Sequence, residues 1–143
     1  MDSIKTDFSL KNHNTFKINV SAKRYTKFSS TKQLKEILNK VDKNQILILG
    51  GGSNILLTKN INGVVLHNNI NGITVLKKDD KHVLVKVGAG EVWHNFVLWS
   101  VQQNYSGIEN LALIPGSVGA SPIQNIGAYG IEVKDTIEEV IAI

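Results

Sequence analysis

Leu113-Ile114-Pro115-Gly116-Ser117-Val118-Gly119-Ala120-Ser121-Pro122-Ile123-Gln124-Asn125-Ile126-Gly127-Ala128-Tyr129-Gly130 dominates this sequence. The stretch carries no charge, is rich in Gly, Ala and Ser, and holds both of the chain's prolines. It is too interrupted for a long helix or an alternating strand. Small residues remove the side-chain barrier to the main chain and let successive N–H groups face a ligand. The segment is read as one wall of a binding site for a large, partly apolar molecule bearing phosphates. Tyr129 is placed to stack on or hydrogen-bond to a bound ring, or else to fill core. Glu109 and Asn110, just upstream, either face the site or are ordinary turn residues.

A second glycine cluster, Gly50-Gly51-Gly52-Ser53-Asn54, follows Gln45-Ile46-Leu47-Ile48-Leu49 at once. That apolar run reads as a strand buried on both faces, and open α/β sheets place ligands at the carboxyl ends of strands. The cluster is either a pyrophosphate cradle or a tight turn between strands. It lacks the Lys-Ser/Thr pair of a P-loop. Gly88-Ala89-Gly90 before a helix invites a dinucleotide fingerprint, but Trp93 stands where the third glycine would allow close packing.

Around these loops the pattern alternates. A polar lead-in runs to about His13, and Lys23 to Phe28 forms a short strand. Ser30 or Thr31 caps a helix over residues 32–41, with Leu34, Ile37, Leu38 and Val41 on its buried face. Strand, helix and strand in this order predict two parallel strands. Val64 to Leu66 is a further strand, and Ile73 to Leu76 and His82 to Val87 form a hairpin. A second helix spans Val92 to Gln103 and buries Trp93, Phe96 and Val97. Trp93 and Trp99 are packing residues at helical spacing. No repeat or linker divides the chain, which reads as one α+β unit. Ile137 to Ile143 reads as a strand that starts and does not finish. It either closes a compact domain or belongs to something longer.

Composition narrows the function classes. The 143 residues fit one domain able to bury a core. With no cysteine, disulfides and thiolate metal sites are excluded. No apolar stretch approaches membrane-spanning length, so a cytoplasmic protein without membrane insertion is expected. The net charge of +4 comes almost wholly from dispersed lysines. A solvated lysine surface explains it better than nucleic-acid recognition, which favours arginine, and Arg24 is the only one. His13, His67, His82 and His94 show no ligand spacing, so no metal is expected.

Taken in order, Asn14-Thr15-Phe16, Leu47 to Asn54, Val87 to Trp93, Gly107 to Leu111 and Ile114 to Gly130 resemble UDP-N-acetylenolpyruvoylglucosamine reductase. The likeness covers the chain from about Asn12 onward. It implies an α+β FAD-binding domain of the p-cresol methylhydroxylase type over residues 14–143, built of two small α+β subdomains with the flavin between them. It also implies reduction of UDP-N-acetylenolpyruvoylglucosamine to UDP-N-acetylmuramate in peptidoglycan precursor synthesis, hydride passing from NADPH through the flavin. On this likeness Gly50, Gly51, Gly52, Ser53 and Asn54 hold the pyrophosphate. Pro115, Gly116, Ser117, Gly119, Ala120, Ser121, Gln124, Asn125, Ile126, Gly127, Ala128 and Tyr129 line the ribityl chain and isoalloxazine ring. The family's proton-donating serine, carboxylate-polarising glutamate and Tyr-Arg substrate motif map onto nothing here. The expectation is therefore a form truncated at its carboxyl end, a monomer without the substrate-binding domain, holding no catalytic residue and inactive alone. Another flavin oxidoreductase of the same fold, or a non-catalytic remnant, is the alternative.

Overall fold

Val64, Val65 and Leu66 are each fully buried, and the first sheet is built around the strand that carries them. In the computed structural model, which describes residues 4–143, the chain divides into two compact units, one ending at Ile70 and one spanning Asn71–Ile143. The division agrees with two small subdomains and corrects the single unit read from the uninterrupted pattern.

The first unit holds strands β1 (Lys5–Ser9), β2 (Ser21–Phe28), β3 (Ile46–Leu49) and β4 (Ile61–Asn68) and helix α1 (Thr31–Leu38). Their order in the sheet is β1-β2-β4-β3. β2 and β3 each run parallel to β4, so the expected parallel pair is present, but with β4 between its members. Central burial therefore falls to β4, whereas β3 is an edge strand with Ile48 53% exposed. An apolar run of four residues cannot by itself tell a central strand from an edge with one covered face.

The expected polar lead-in is also corrected. Residues 1–3 lie outside the described residues, but Lys5–Ser9 pairs antiparallel with β2 and Leu10 is fully buried. An edge strand keeps much of its surface in water, which is why its composition is polar. Phe8 stacks on Tyr25 with ring centroids 3.9 Å apart. Ser30 caps α1 by accepting from the Gln33 amide at 3.1 Å, as its position before the amphipathic run predicts. Leu34 and Ile37 pack with Phe28, Val64 and Leu66 on one face of the sheet. Tyr25, Leu49 and Val65 join Leu10 and Leu57 in a second cluster.

The second unit opens with the antiparallel hairpin β5 (Ile73–Lys78) and β6 (Val83–Val87), followed by α2 (Trp93–Gln102). Later come the single turn α3 (Ser121–Gln124) and the two-residue strands β7 (Gly127–Ala128) and β8 (Ile131–Glu132). Trp93, Val97, Leu111 and Val133 form its buried centre. The indole N–H of Trp93 donates to the Leu111 carbonyl at 2.8 Å, so the largest core side chain also fixes the loop after α2. The strand expected at Ile137 to Ile143 is not formed. Val140, Ile141 and Ile143 are exposed, and β propensity is realised only against a partner strand.

Candidate functional site

The Gly50–Asn54 loop leaves the carboxyl end of β3 and turns back against the segment after β1. Gly52 adopts φ +68°, and a Cβ there would lie 2.1 Å from the His13 carbonyl oxygen. Only glycine fits that contact. The Gly52 carbonyl in turn accepts the Thr15 amide at 3.0 Å. Asn14, almost fully buried, shapes the facing loop: its Nδ2 donates to the Leu10 and Ile18 carbonyls at 2.8 and 3.1 Å. Its Oδ1 accepts the Ile18 amide at 3.0 Å. The Asn14-Thr15-Phe16 motif thus acts through backbone architecture, and it leaves the Phe16 ring exposed.

Beneath the glycine loop lies a cluster of rings. His13 meets His67 edge-on, with centroids 5.2 Å apart, and the Tyr25 hydroxyl lies 2.7 Å from His67 Nδ1. Burial, then the neighbouring His13 and Lys27, lower the His67 pKa to about 4, against an opposing hydrogen bond with the Gly50 main chain. Burial also lowers the His13 pKa, aided by Lys27, Lys17 and Lys5. Both rings are therefore neutral near neutrality.

In the second unit, residues 113–130 fold around the core with two faces. Ile114, Val118, Ile126 and Ala128 pack inward against the Trp93 cluster. Leu113, Ile123 and Tyr129 turn outward, 78%, 85% and 89% exposed. The backbone is strained at Leu113, Asn125 and Tyr129, whose φ values are 63°, 42° and 53°. Left-handed backbone at non-glycine residues concentrates where a chain is held ready for a ligand. The Leu113 turn is tied to α2 by its amide, which donates to His94 Nδ1 at 3.1 Å. Asn125 ends α3 and accepts the Lys134 amide on Oδ1.

Not every expected contact group is free. The amides of Val118, Gly119 and Ala120 donate to Glu91, Ala89 and Ser117 carbonyls at 2.9, 2.9 and 3.0 Å. Ser117 and Ser121 are buried, and the Ser121 hydroxyl donates to the Val118 carbonyl. These bonds brace the segment from within. The exposed part of the segment includes Pro115, Gln124, Gly127 and Tyr129 together with the outward apolar residues. Exposure of Tyr129 removes the core alternative for its ring. Glu109 accepts the Gly107 amide, a turn contact.

The two loops belong to different units. Sequence spacing missed the His13–His67–Tyr25 cluster altogether. The signal was present in strand alternation, because Val65 and His67 share a face of β4; a strand read only to Leu66 stops one residue short of it.

The family described as an FAD binding domain matches residues 22–143, a span that includes both loops. The chain belongs to this family. It is 50% identical over 133 residues to the UDP-N-acetylenolpyruvoylglucosamine reductase of Flavobacterium johnsoniae, covering 93% of this chain and 40% of that one. The enzyme of the same name from Pseudomonas fluorescens is 46% identical over 142 residues, covering 98% of this chain and 42% of the relative. The chain thus spans about two fifths of the length of the curated relatives it matches. A crystal structure of UDP-N-acetylenolpyruvylglucosamine reductase from Thermus caldophilus superposes with a TM-score of 0.70 at 22% identity. That match covers 93% of this chain and 46% of the solved one, and it supports the α+β fold. The resemblance drawn from the ordered motifs holds.

Proposed function

We propose that this chain is the flavin-holding part of a UDP-N-acetylenolpyruvoylglucosamine reductase, serving peptidoglycan precursor synthesis in the cytoplasm. The observation that carries the reading is that the FAD-binding match over residues 22–143 contains both glycine-bearing loops, each of which keeps residues open to solvent. Gly50, Gly51, Gly52, Ser53 and Asn54 would hold the diphosphate. The Gly52 conformation keeps side chains out of the loop. Gly116 to Tyr129 would hold the ribityl chain and ring system, with Tyr129 and Ile123 supplying the apolar contact and Gln124 a side-chain amide.

FAD, when bound, supplies the hydride chemistry between NADPH and the enolpyruvyl double bond. This chain's residues bind and orient it. Proton delivery to the substrate and stabilisation of its carboxylate need an acid and a cationic clamp. No residue of these 143 matches the family's groups for either task, so the chain alone binds flavin without turning over substrate. UDP-sugar and NADPH are partners of the complete enzyme, which acts as a monomer and not on nucleic acid.

Purified protein should carry or take up FAD, seen as visible flavin absorbance and quenching of flavin fluorescence. A folded, colourless sample that ignores added FAD would refute the proposal. Enolpyruvyl-dependent NADPH oxidation by the 143 residues alone would overturn the second part.

A further inference from the structure

The Gly50–Asn54 loop is anchored at two points. Gly52 is held by Thr15 and lies against the His13 carbonyl, and Gly50 follows directly on Leu49, which is paired with His67, whose ring meets that of His13 at 5.2 Å. His67 stands on β4, one strand in from the edge strand that delivers the loop. Leu49, the last residue of β3, is its register partner. On its other side the Tyr25 hydroxyl, from β2, lies within hydrogen-bond distance of Nδ1.

We propose that His67, as the neutral imidazole, is a positioning residue that holds Gly50–Asn54 in its anion-binding form by accepting the Tyr25 hydroxyl on Nδ1 and donating from Nε2 to the Gly50 carbonyl. The proposal rests on the reading of that loop as the diphosphate site. One proton on the ring satisfies both neighbours, so the tautomer and the loop shape are fixed together. A carbonyl held from below turns its peptide plane, and that directs the next amide, Gly51 N–H, outward. The charged groups around the ring are His13 from the turn after β1 and Lys27 from β2, with Lys5 and Lys17 acting on His13. All are cationic or become so in acid, and all oppose a charged His67. Once protonated, Nδ1 is a donor and the Tyr25 hydroxyl must reverse, which loosens the bridge.

The test uses FAD titrations of wild type, His67→Phe and His67→Gln, with amide hydrogen exchange at residues 50–54 measured without ligand. Glutamine carries an acceptor oxygen and a donor NH2 and can restore the bridge; phenylalanine fills the space and cannot. His67→Phe should weaken FAD about 10-fold, the scale of one or two lost buried hydrogen bonds, and speed exchange at Gly51 to Asn54. His67→Gln should recover most of both. Wild-type affinity should fall as pH approaches the His67 pKa of about 4, and the Gln variant should be flatter there.

Equal binding by His67→Phe, or a Gln variant as weak as Phe, would overturn the proposal while leaving the flavin reading intact. Failure of the wild type itself to bind FAD would sink the flavin reading. Exchange then judges the bridge, and unchanged rates in His67→Phe would reject it. If His67→Phe does not fold, Tyr25→Phe removes only the hydroxyl; wild-type affinity and exchange in that variant would equally reject the bridge.

Discussion

Gly119 donates its amide to the Ala89 carbonyl at 2.9 Å, and a Cβ on it would come within 2.6 Å of the Ala89 side chain. The Gly88-Ala89-Gly90 turn and the Gly116–Gly119 strip are therefore two halves of one contact, extended by the bridge between Val92 and Ser117. Gly119→Val should destabilise the protein by about 1–3 kcal/mol through overpacking, read as a lower denaturant midpoint. Ala89→Gly in the same chain should return part of the loss. A Gly119→Val midpoint equal to wild type would contradict the packing described.

Gly52→Ala should be harsher. The substitution places a side chain at φ +68° and drives it into the His13 carbonyl. The two effects together cost about 2–4 kcal/mol. FAD affinity should fall with stability, because the loop must move. Calorimetry and flavin titration on one sample check both.

Tyr129→Ala separates affinity from stability. The ring is almost wholly exposed, so its removal should change unfolding free energy by no more than about 0.5 kcal/mol. Flavin binding should weaken by about 0.5–1.5 kcal/mol, the range of one aromatic contact. Unaltered FAD affinity would remove Tyr129 from the flavin surface.

The acid limb of stability has a definite sign. His67 titrates at about 4 in the fold against an ordinary 6.5, so between these values the unfolded chain holds a proton that the folded chain lacks. Stability therefore rises with pH across that window and is fully present above it. His13 acts in the same direction. Asp79, Glu109 and Glu132, lowered by hydrogen bonds, add their own loss as pH falls through the carboxylate range. Denaturation curves for wild type and His67→Gln isolate the histidine share: the difference between them should shrink or reverse toward acid. A constant difference from pH 7 to pH 4 would rule it out, since the expected window runs from about pH 4 to pH 6.5.

Elements with a strong local cause were legible in the chain. Ser30 before Leu34 and Ile37 announced α1 and its cap, and the charged turn at residues 77–81 announced the β5–β6 hairpin. Position within a sheet was not legible, because Ile46-Leu47-Ile48-Leu49 and Val64-Val65-Leu66 look alike until their neighbours are known. The same limit hid β1, whose polar residues conceal its pairing with β2, and gave Ile137 to Ile143 a strand pattern that forms no strand among the described residues. In the candidate site, glycine spacing marked both loops but not what each glycine packs against. Gly52 and Gly119 are small because other main chain touches them, whereas Tyr129 is bare. Alternation along β4 puts His67 on the face of Val65, but its pairing with Tyr25 depends on tertiary contact.

Among the described residues, β3 has a hydrogen-bonded neighbour on one side only. The loop it delivers is thus hung from the rim of the sheet, so Gly50 to Asn54 can shift or be rebuilt while the hydrogen-bonded centre at β4 stays closed. Evolution can retune the nucleotide grip proposed for that margin with little risk to the scaffold. The brace proposed for His67 would then act on that margin from the strand with a neighbour on each side.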